Sequence, residues 1–224
     1  MIKAVVFDMF ETLVTLFEGR TYFGEDIAAD VGADPVRFRK EWNLIEKDRS
    51  TGKYTIEEGL EIVLKKLGLY SEDNVRLASS KRIEGLTDSF SAIPDETFML
   101  LDELKKRNVK IGLITNTFSD ERTIIRNSRL MPFFDVALIS YEQGICKPDP
   151  ELYKRMIGQL GVDPDECLYV GDGGSDELTG AKEAGMHPLQ CTWFHDRAFE
   201  PHIPCGILDE FEQVDSRDAV LDYL

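Results

Sequence analysis

Short apolar runs recur along this chain, each closed by a polar turn. Residues 2–7, 109–115, 134–140, 167–171 and 188–193 are too short to favour helices and are rich in β-branched and aromatic side chains. That pattern predicts five buried strands. Longer stretches with helical spacing separate most of them. Residues 95–107 carry Phe98, Leu101 and Leu104 on one side and end in Lys105-Lys106-Arg107. Residues 120–128 form a shorter candidate. Asp149 is an N-cap for 149–160, with Pro150 at the first helical position and Gly161 beyond the end. Residues 176–184 stop at Gly185. Strand–helix alternation of this kind predicts an α/β protein with a doubly wound, mostly parallel sheet and helices on both faces.

One region breaks the alternation. Between residues 17 and 91 no segment reads as a strand. Thr55 and Glu58 form a capping-box pattern, and Ile56, Leu60, Val63, Leu64 and Leu67 share the helical face that follows, up to Gly68. Residues 37–47 and 72–90 also have helical spacing. The expectation is a core domain of residues 1–16 and 92–224, with an inserted α-helical domain of residues 17–91.

The chain has 224 residues, 42% of them hydrophobic and 30% charged, which is ordinary for a globular protein. A net charge of −16 makes nucleic acid and anionic membranes poor partners. A small molecule is the expected ligand and a monomer or homodimer the expected assembly. Cys146, Cys167, Cys191 and Cys205 lack any close pairing such as Cys-x-x-Cys. They read as reduced thiols of a cytoplasmic protein. The N-terminal run contains Lys3 and ends in Asp8, unlike a signal peptide, and no apolar stretch approaches the ~20 residues of a membrane span.

The chemistry concentrates at two strand ends. Asp8 closes the first apolar run and Asp172 the fourth. Open α/β sheets bind their ligands at the carboxyl ends of the strands. Carboxylates converging there repel one another, which implies a divalent metal.

Four segments occur in order: Asp8-Met9-Phe10-Glu11-Thr12, Leu113-Ile114-Thr115-Asn116, Lys147-Pro148-Asp149-Pro150, and Gly171-Asp172-Gly173-Gly174-Ser175-Asp176-Glu177. Together they resemble the motifs of the haloacid dehalogenase-like (HAD) hydrolase superfamily. The resemblance covers nearly the whole chain, including a helical cap between the first two motifs on a Rossmann-type core. It implies a magnesium-dependent hydrolase of small phosphorylated metabolites. In that reading Asp8 is the nucleophile that becomes an aspartyl-phosphate. Thr115 and Asn116 contact the substrate, and Lys147 faces the phosphoryl oxygens. Asp8, Asp172 and the backbone carbonyl of Phe10 hold the metal. A further acid completes the metal site: direct spacing favours Asp176, whereas alignment from the stretch 180–186 favours Glu177.

Departures from the family pattern bear on the activity. Phosphatases of the superfamily usually carry a second aspartate where this chain has Phe10, and Phe10 cannot move a proton. The superfamily's 2-haloacid dehalogenases also have an aromatic there, but work without metal and lack an acid at the position of Asp172. Phosphonate hydrolases use a cap lysine, and nothing marks out Lys40, Lys47, Lys53, Lys65, Lys66 or Lys81. Glu11 stands where the family usually has glycine. Phosphatase is the leading reading; dehalogenase, phosphonate hydrolase and non-catalytic phospho-ligand binder are the alternatives. Singly, each motif has a plainer reading, since an acid after a strand is usually a loop residue or cap. His187, His195 and His202 are too scattered for a metal site. Cys146 reads as an inert thiol. Arg20, Arg39 and Arg49 of the insertion suit either a substrate anion or an exposed helix face.

Overall fold

The computed structural model describes residues 1–199 and 205–224, so His202 lies outside the described residues. Six strands, β1 (Ala4–Phe7), β2 (Lys110–Thr115), β3 (Val136–Ile139), β4 (Cys167–Gly171), β5 (His187–Cys191) and β6 (Glu212–Val214), form one parallel sheet in the order β3-β2-β1-β4-β5-β6. This is the doubly wound order, with its switch point between β1 and β4. All residues of β1 and β4 are buried, as expected when both faces of a sheet are covered. Alternation along β1 splits the core: Val5 and Phe7 join one apolar cluster, Ala4 and Val6 the other.

Between β1 and β2 the chain forms α1 (Gly24–Val31), α2 (Pro35–Leu44), α3 (Glu46–Ser50), α4 (Ile56–Leu67), α5 (Glu72–Ser91) and α6 (Asp95–Lys106). No strand occurs there among the described residues. Helices α1, α2, α4 and α5 bury a cluster of their own that includes Ile27, Phe38, Leu60 and Ala78. The Thr55 capping box forms, with Glu58 N–H on Thr55 Oγ1 at 3.2 Å and Thr55 N–H on Glu58 Oε2 at 2.8 Å. The remaining helices are α7 (Ser119–Asn127), α8 (Ser140–Gln143), α9 (Pro150–Leu160) and α10 (Glu177–Glu183). Leu101 and Leu104 of α6 pack on one side of the sheet; Tyr153 and Met156 of α9 and Leu178 of α10 pack on the other.

Sequence pattern missed three elements. Strand β6 has only three residues, and two are exposed and polar. Helix α1 holds too few apolar positions to show a period, and α8 is a single turn. The stretch expected as one helix over 37–47 divides into α2 and α3, because Ile45 leaves helical geometry at φ −108°, ψ 7°.

Arg82 of α5 anchors the helical segment to the rest. Its Nε donates to Asp120 Oδ2 at 2.8 Å and its Nη2 to Glu121 Oε1, all on buried or nearly buried side chains. Ile56 N–H donates to Ser119 Oγ, and Ser140 Oγ–H donates to the Ser50 carbonyl, each at 2.8 Å.

Candidate active site

Pairing of β1 with β4 puts Phe7 beside Val170, so Asp8, directly after Phe7, and Asp172, directly after the last residue of β4, leave the sheet at the same edge. The Asp8 N–H donates to the Val170 carbonyl at 3.0 Å, which fixes the start of the loop. Beyond it the chain folds back sharply, with Leu13 and Val14 N–H both reaching the Met9 carbonyl. Glu11 holds φ 55° there, a left-handed backbone that glycine adopts without strain. Its carboxylate accepts from Thr15 Oγ1 at 2.7 Å and Leu16 N–H at 2.8 Å. Those bonds compensate for the backbone by tying the loop to itself. Burial lifts the Glu11 carboxyl to about 7, with Asp172 and Asp8 adding to the rise.

Lys147 stands at the centre of the site. Its Nζ lies 2.5 Å from Asp8 Oδ1 and 2.5 Å from Glu177 Oε2, and all three side chains are buried. Burial pulls the ammonium down, but Asp8 and Glu177 outweigh it and hold its pKa above the usual lysine value. Burial pushes Asp8 up to about 6, with Lys147 opposing and Glu177 adding to the rise. Asp172 is raised by burial and then by Asp8, and Glu177 by burial against Lys147.

Ligand atoms of Asp8, Asp172 and Glu177 lie within 4.8 Å of one another. Asp176, which direct spacing favoured, is not among them. Ser175 and Asp176 both take left-handed backbone, at φ 56° and 51°. This lengthens the turn by a residue and leaves Asp176 exposed, while Glu177 opens α10 and points inward. Gly171 makes room for it, since a Cβ at that position would sit 2.1 Å from Glu177 Oε1. Gly173 N–H and the Tyr169 hydroxyl donate to the Glu177 carboxylate at 3.0 and 2.9 Å, and the Tyr153 hydroxyl donates to its carbonyl at 3.0 Å. Sequence reasoning missed both tyrosines. The only signal was, for Tyr169, a hydroxyl-bearing ring inside an otherwise apolar run.

Thr115 ends β2 with its hydroxyl buried and unpartnered among the described residues. Thr117 shares that state. Asn116, expected to contact substrate, brackets Lys147: its Oδ1 accepts from the Lys147 N–H at 2.7 Å and its Nδ2 donates to the Lys147 carbonyl at 3.2 Å. Each end of the side chain makes one bond to the Lys147 backbone, so Asn116 positions the lysine and keeps a second donor and acceptor free for other bonds. Lys147, Asn116, Thr117, Phe10 and Asp176 line a cavity of about 640 Å³, closed on the other side by Asn43, Glu46 and Lys47. The Phe10 ring stands edge-on to Phe90, with centroids 6.3 Å apart. Of the histidines, His187 and His195 bring no ligand to the carboxylate group.

The donor set suits a small hard cation. Its donors are all carboxylate oxygens, and three carboxylates face one ammonium, an excess of two negative charges if all are ionised. No helix among the described residues is long and apolar enough to cross a membrane.

A family model described as haloacid dehalogenase-like hydrolase matches residues 2–185. The chain is 30% identical over 195 residues to Phosphatase MT3486 of Mycobacterium tuberculosis, covering 83% of this chain and 85% of that protein. Two shorter matches reach 36% identity with the Rhythmically expressed gene 2 protein of Drosophila melanogaster and 34% with a phosphoserine phosphatase of Thermus thermophilus. They cover 39% and 49% of this chain, and the chain spans only 35% and 43% of those two proteins. Among solved structures, a 2-haloacid dehalogenase from Pseudomonas syringae superposes with a TM-score of 0.69 at 24% identity, covering 99% of this chain and 97% of that one. A HAD family enzyme from Bacteroides thetaiotaomicron, in complex with magnesium and inorganic phosphate, gives 0.67 at 19% identity, covering 86% and 95%. At those identities the likeness shows the fold.

Proposed function

This chain belongs to the haloacid dehalogenase-like hydrolases, and we propose that it is a magnesium-dependent phosphatase of a small phosphorylated metabolite, working through an aspartyl-phosphate on Asp8. One observation carries the reading: three converging carboxylates and a single lysine, buried at the switch point of the sheet. Such an excess of negative charge suits a site built around a divalent cation and a phosphoryl group. Displacing halide from carbon gives no reason to gather that many acids.

The chain's own residues divide the work. Asp8 attacks phosphorus. Lys147 holds the attacking carboxylate and offsets charge on the phosphoryl oxygens. The unpartnered Thr115 hydroxyl donates to one of those oxygens, and Asn116 fixes Lys147 by its backbone. Glu177, held by Tyr169, Tyr153 and Gly173, anchors the lysine and supplies the third acid. Asp8, Asp172, Glu177 and the Phe10 carbonyl would hold magnesium, which when bound neutralises the acid excess and polarises a phosphoryl oxygen. Phe10 supplies no proton, so the leaving group departs largely on its own acidity. Helices within residues 17–91 act as a cap over a core of residues 1–16 and 92–224. The unbridged cysteines suit a cytoplasmic setting.

The test is phosphate release from aryl, alkyl and acyl phosphates with and without magnesium, with halide release from 2-haloacids run in parallel. Magnesium-dependent phosphate release supports the proposal. Halide release without metal would establish the dehalogenase reading, and neither product the binding-protein reading.

A further inference from the structure

Arg49 is a buried cap arginine that lacks a salt-bridge partner among the described residues. It lies near the end of α3 and is only 3% exposed. Its guanidinium is sandwiched between the Trp42 ring, 3.7 Å from the centroid, and the Phe118 ring, 4.0 Å away. The stem runs over Gly59, where a Cβ would come within 2.9 Å of Arg49 Cδ. Neighbouring arginines are neutralised: Arg39 by Glu25, Arg82 by Asp120 and Glu121. No carboxylate pairs with Arg49 among the described residues, and its Nε is buried without any hydrogen-bond partner. Leaving a buried charge and donor unpaired is costly, so such a group points to a partner that arrives from outside the chain.

The location says what that partner belongs to. Arg49 lines a cavity of about 370 Å³. Asn43, Glu46, Phe118 and Glu121 line both this cavity and the larger one onto which Lys147 opens. A molecule with its phosphoryl group at Lys147 therefore has Arg49 within the adjoining space. Two ring faces cover the guanidinium above and below, leaving its edge for recognition. The Nη1–Nη2 edge, which unlike Nε is not among the buried unpartnered atoms, matches a planar carboxylate through two parallel bonds. Glu46 and Glu121 beside it favour a single negative charge over a second phosphate dianion. Burial, then Arg82, pull the guanidinium down to about 10 against Glu121, Asp120 and Glu46, which leaves it charged at neutral pH.

We propose that Arg49 recognises a carboxylate on the substrate, so that the natural substrate is a phosphorylated carboxylic acid. This rests on the phosphatase reading and narrows it. Arg49 selects substrate and takes no part in the chemical step.

The experiment uses aryl phosphates bearing a carboxylate on linkers of increasing length, each with its methyl ester as control, and 4-nitrophenyl phosphate as reference. In the wild type, at least one linker should give a KM ~10-fold or more below that of its ester. Arg49→Met keeps the stem between the rings and removes the charge. It should raise KM for that acid by ~10–100-fold, the scale of a lost charge-assisted hydrogen bond, with kcat and ester kinetics unchanged. Arg49→Lys should recover part of the preference. Equal KM for acid and ester in the wild type, or an equal rise for both in Arg49→Met, would overturn the proposal. Should no phosphate ester turn over, the phosphatase reading fails by itself. Titration of the corresponding phosphate-free aryl carboxylates, followed by Trp42 fluorescence, then decides the matter: saturable binding lost in Arg49→Met upholds the subsite, and none in the wild type removes it.

Discussion

Arg82→Met separates the two carboxylates on α7 from the only cation within salt-bridge distance of them among the described residues. Arg82 Nε sits 2.8 Å from Asp120 Oδ2, and Nη2 bonds Glu121 Oε1; the acids' side chains are 0% and 6% exposed. Removing one partner of a buried pair typically costs about 3–5 kcal/mol, because the charge left behind stays desolvated. For a chain of this size each kcal/mol moves Tm by ~2–4 °C, so the variant should melt ~6–20 °C lower at pH 8. The pH dependence fixes the cause. Burial already raises the Glu121 carboxyl from 4.5 to about 7, with Arg82 opposing and Asp120 adding to the rise. A raised acid contributes stability that is whole below about pH 4.5 and lost as pH climbs through 7. Without Arg82 that loss deepens, so the gap between variant and wild type should be small near pH 5 and widest at pH 8. Urea denaturation at both pH values measures it. Adding Asp120→Asn and Glu121→Gln to Arg82→Met should restore much of the stability. A gap below about 1 kcal/mol at pH 8, or one equal at both pH values, would refute the argument.

Three further outcomes follow from the site. Asp172→Asn should lose the rise in Tm that magnesium gives the wild type, since removing a hard oxygen ligand severely weakens such a site; an undiminished rise would move the metal elsewhere. Asp176→Asn should bind magnesium as the wild type does, whereas Glu177→Gln should bind it at least ~10-fold more weakly by calorimetry. The reverse ranking would return Asp176 to the site. With Phe10 unable to protonate a leaving oxygen, aryl and acyl phosphates should outrun alkyl phosphates by ~10²–10⁴-fold in kcat/KM; equal rates with chemistry limiting would require another acid, for which Glu11→Gln is the first test.

Strands β1 and β4 were legible because burial on both faces demands an unbroken apolar run, and each run was followed by an acid of the carboxylate group. The capping box at Thr55 was legible because its two hydrogen bonds are local. The choice between Asp176 and Glu177 was not, since it turns on two successive left-handed residues that widen a loop by one position. The bonds of Asn116 to Lys147 were hidden for a related reason. The Asn116 amide is engaged by the backbone of Lys147, 31 residues away in sequence, and only the fold brings them together. The state of Arg49 depends likewise on Phe118, Gly59 and the lack of a salt-bridge partner among the described residues, none of which a helical period reveals.

The most direct test of Asp8 as phosphoryl acceptor is an acid-quenched single turnover with a radiolabelled aryl phosphate and magnesium, followed by peptide mapping. The label should appear transiently on the peptide containing Asp8 and be absent from Asp8→Asn, which should also release no phosphate. Phosphate release that proceeds in Asp8→Asn, or turnover in the wild type with no label on that peptide at any quench time, would contradict the account.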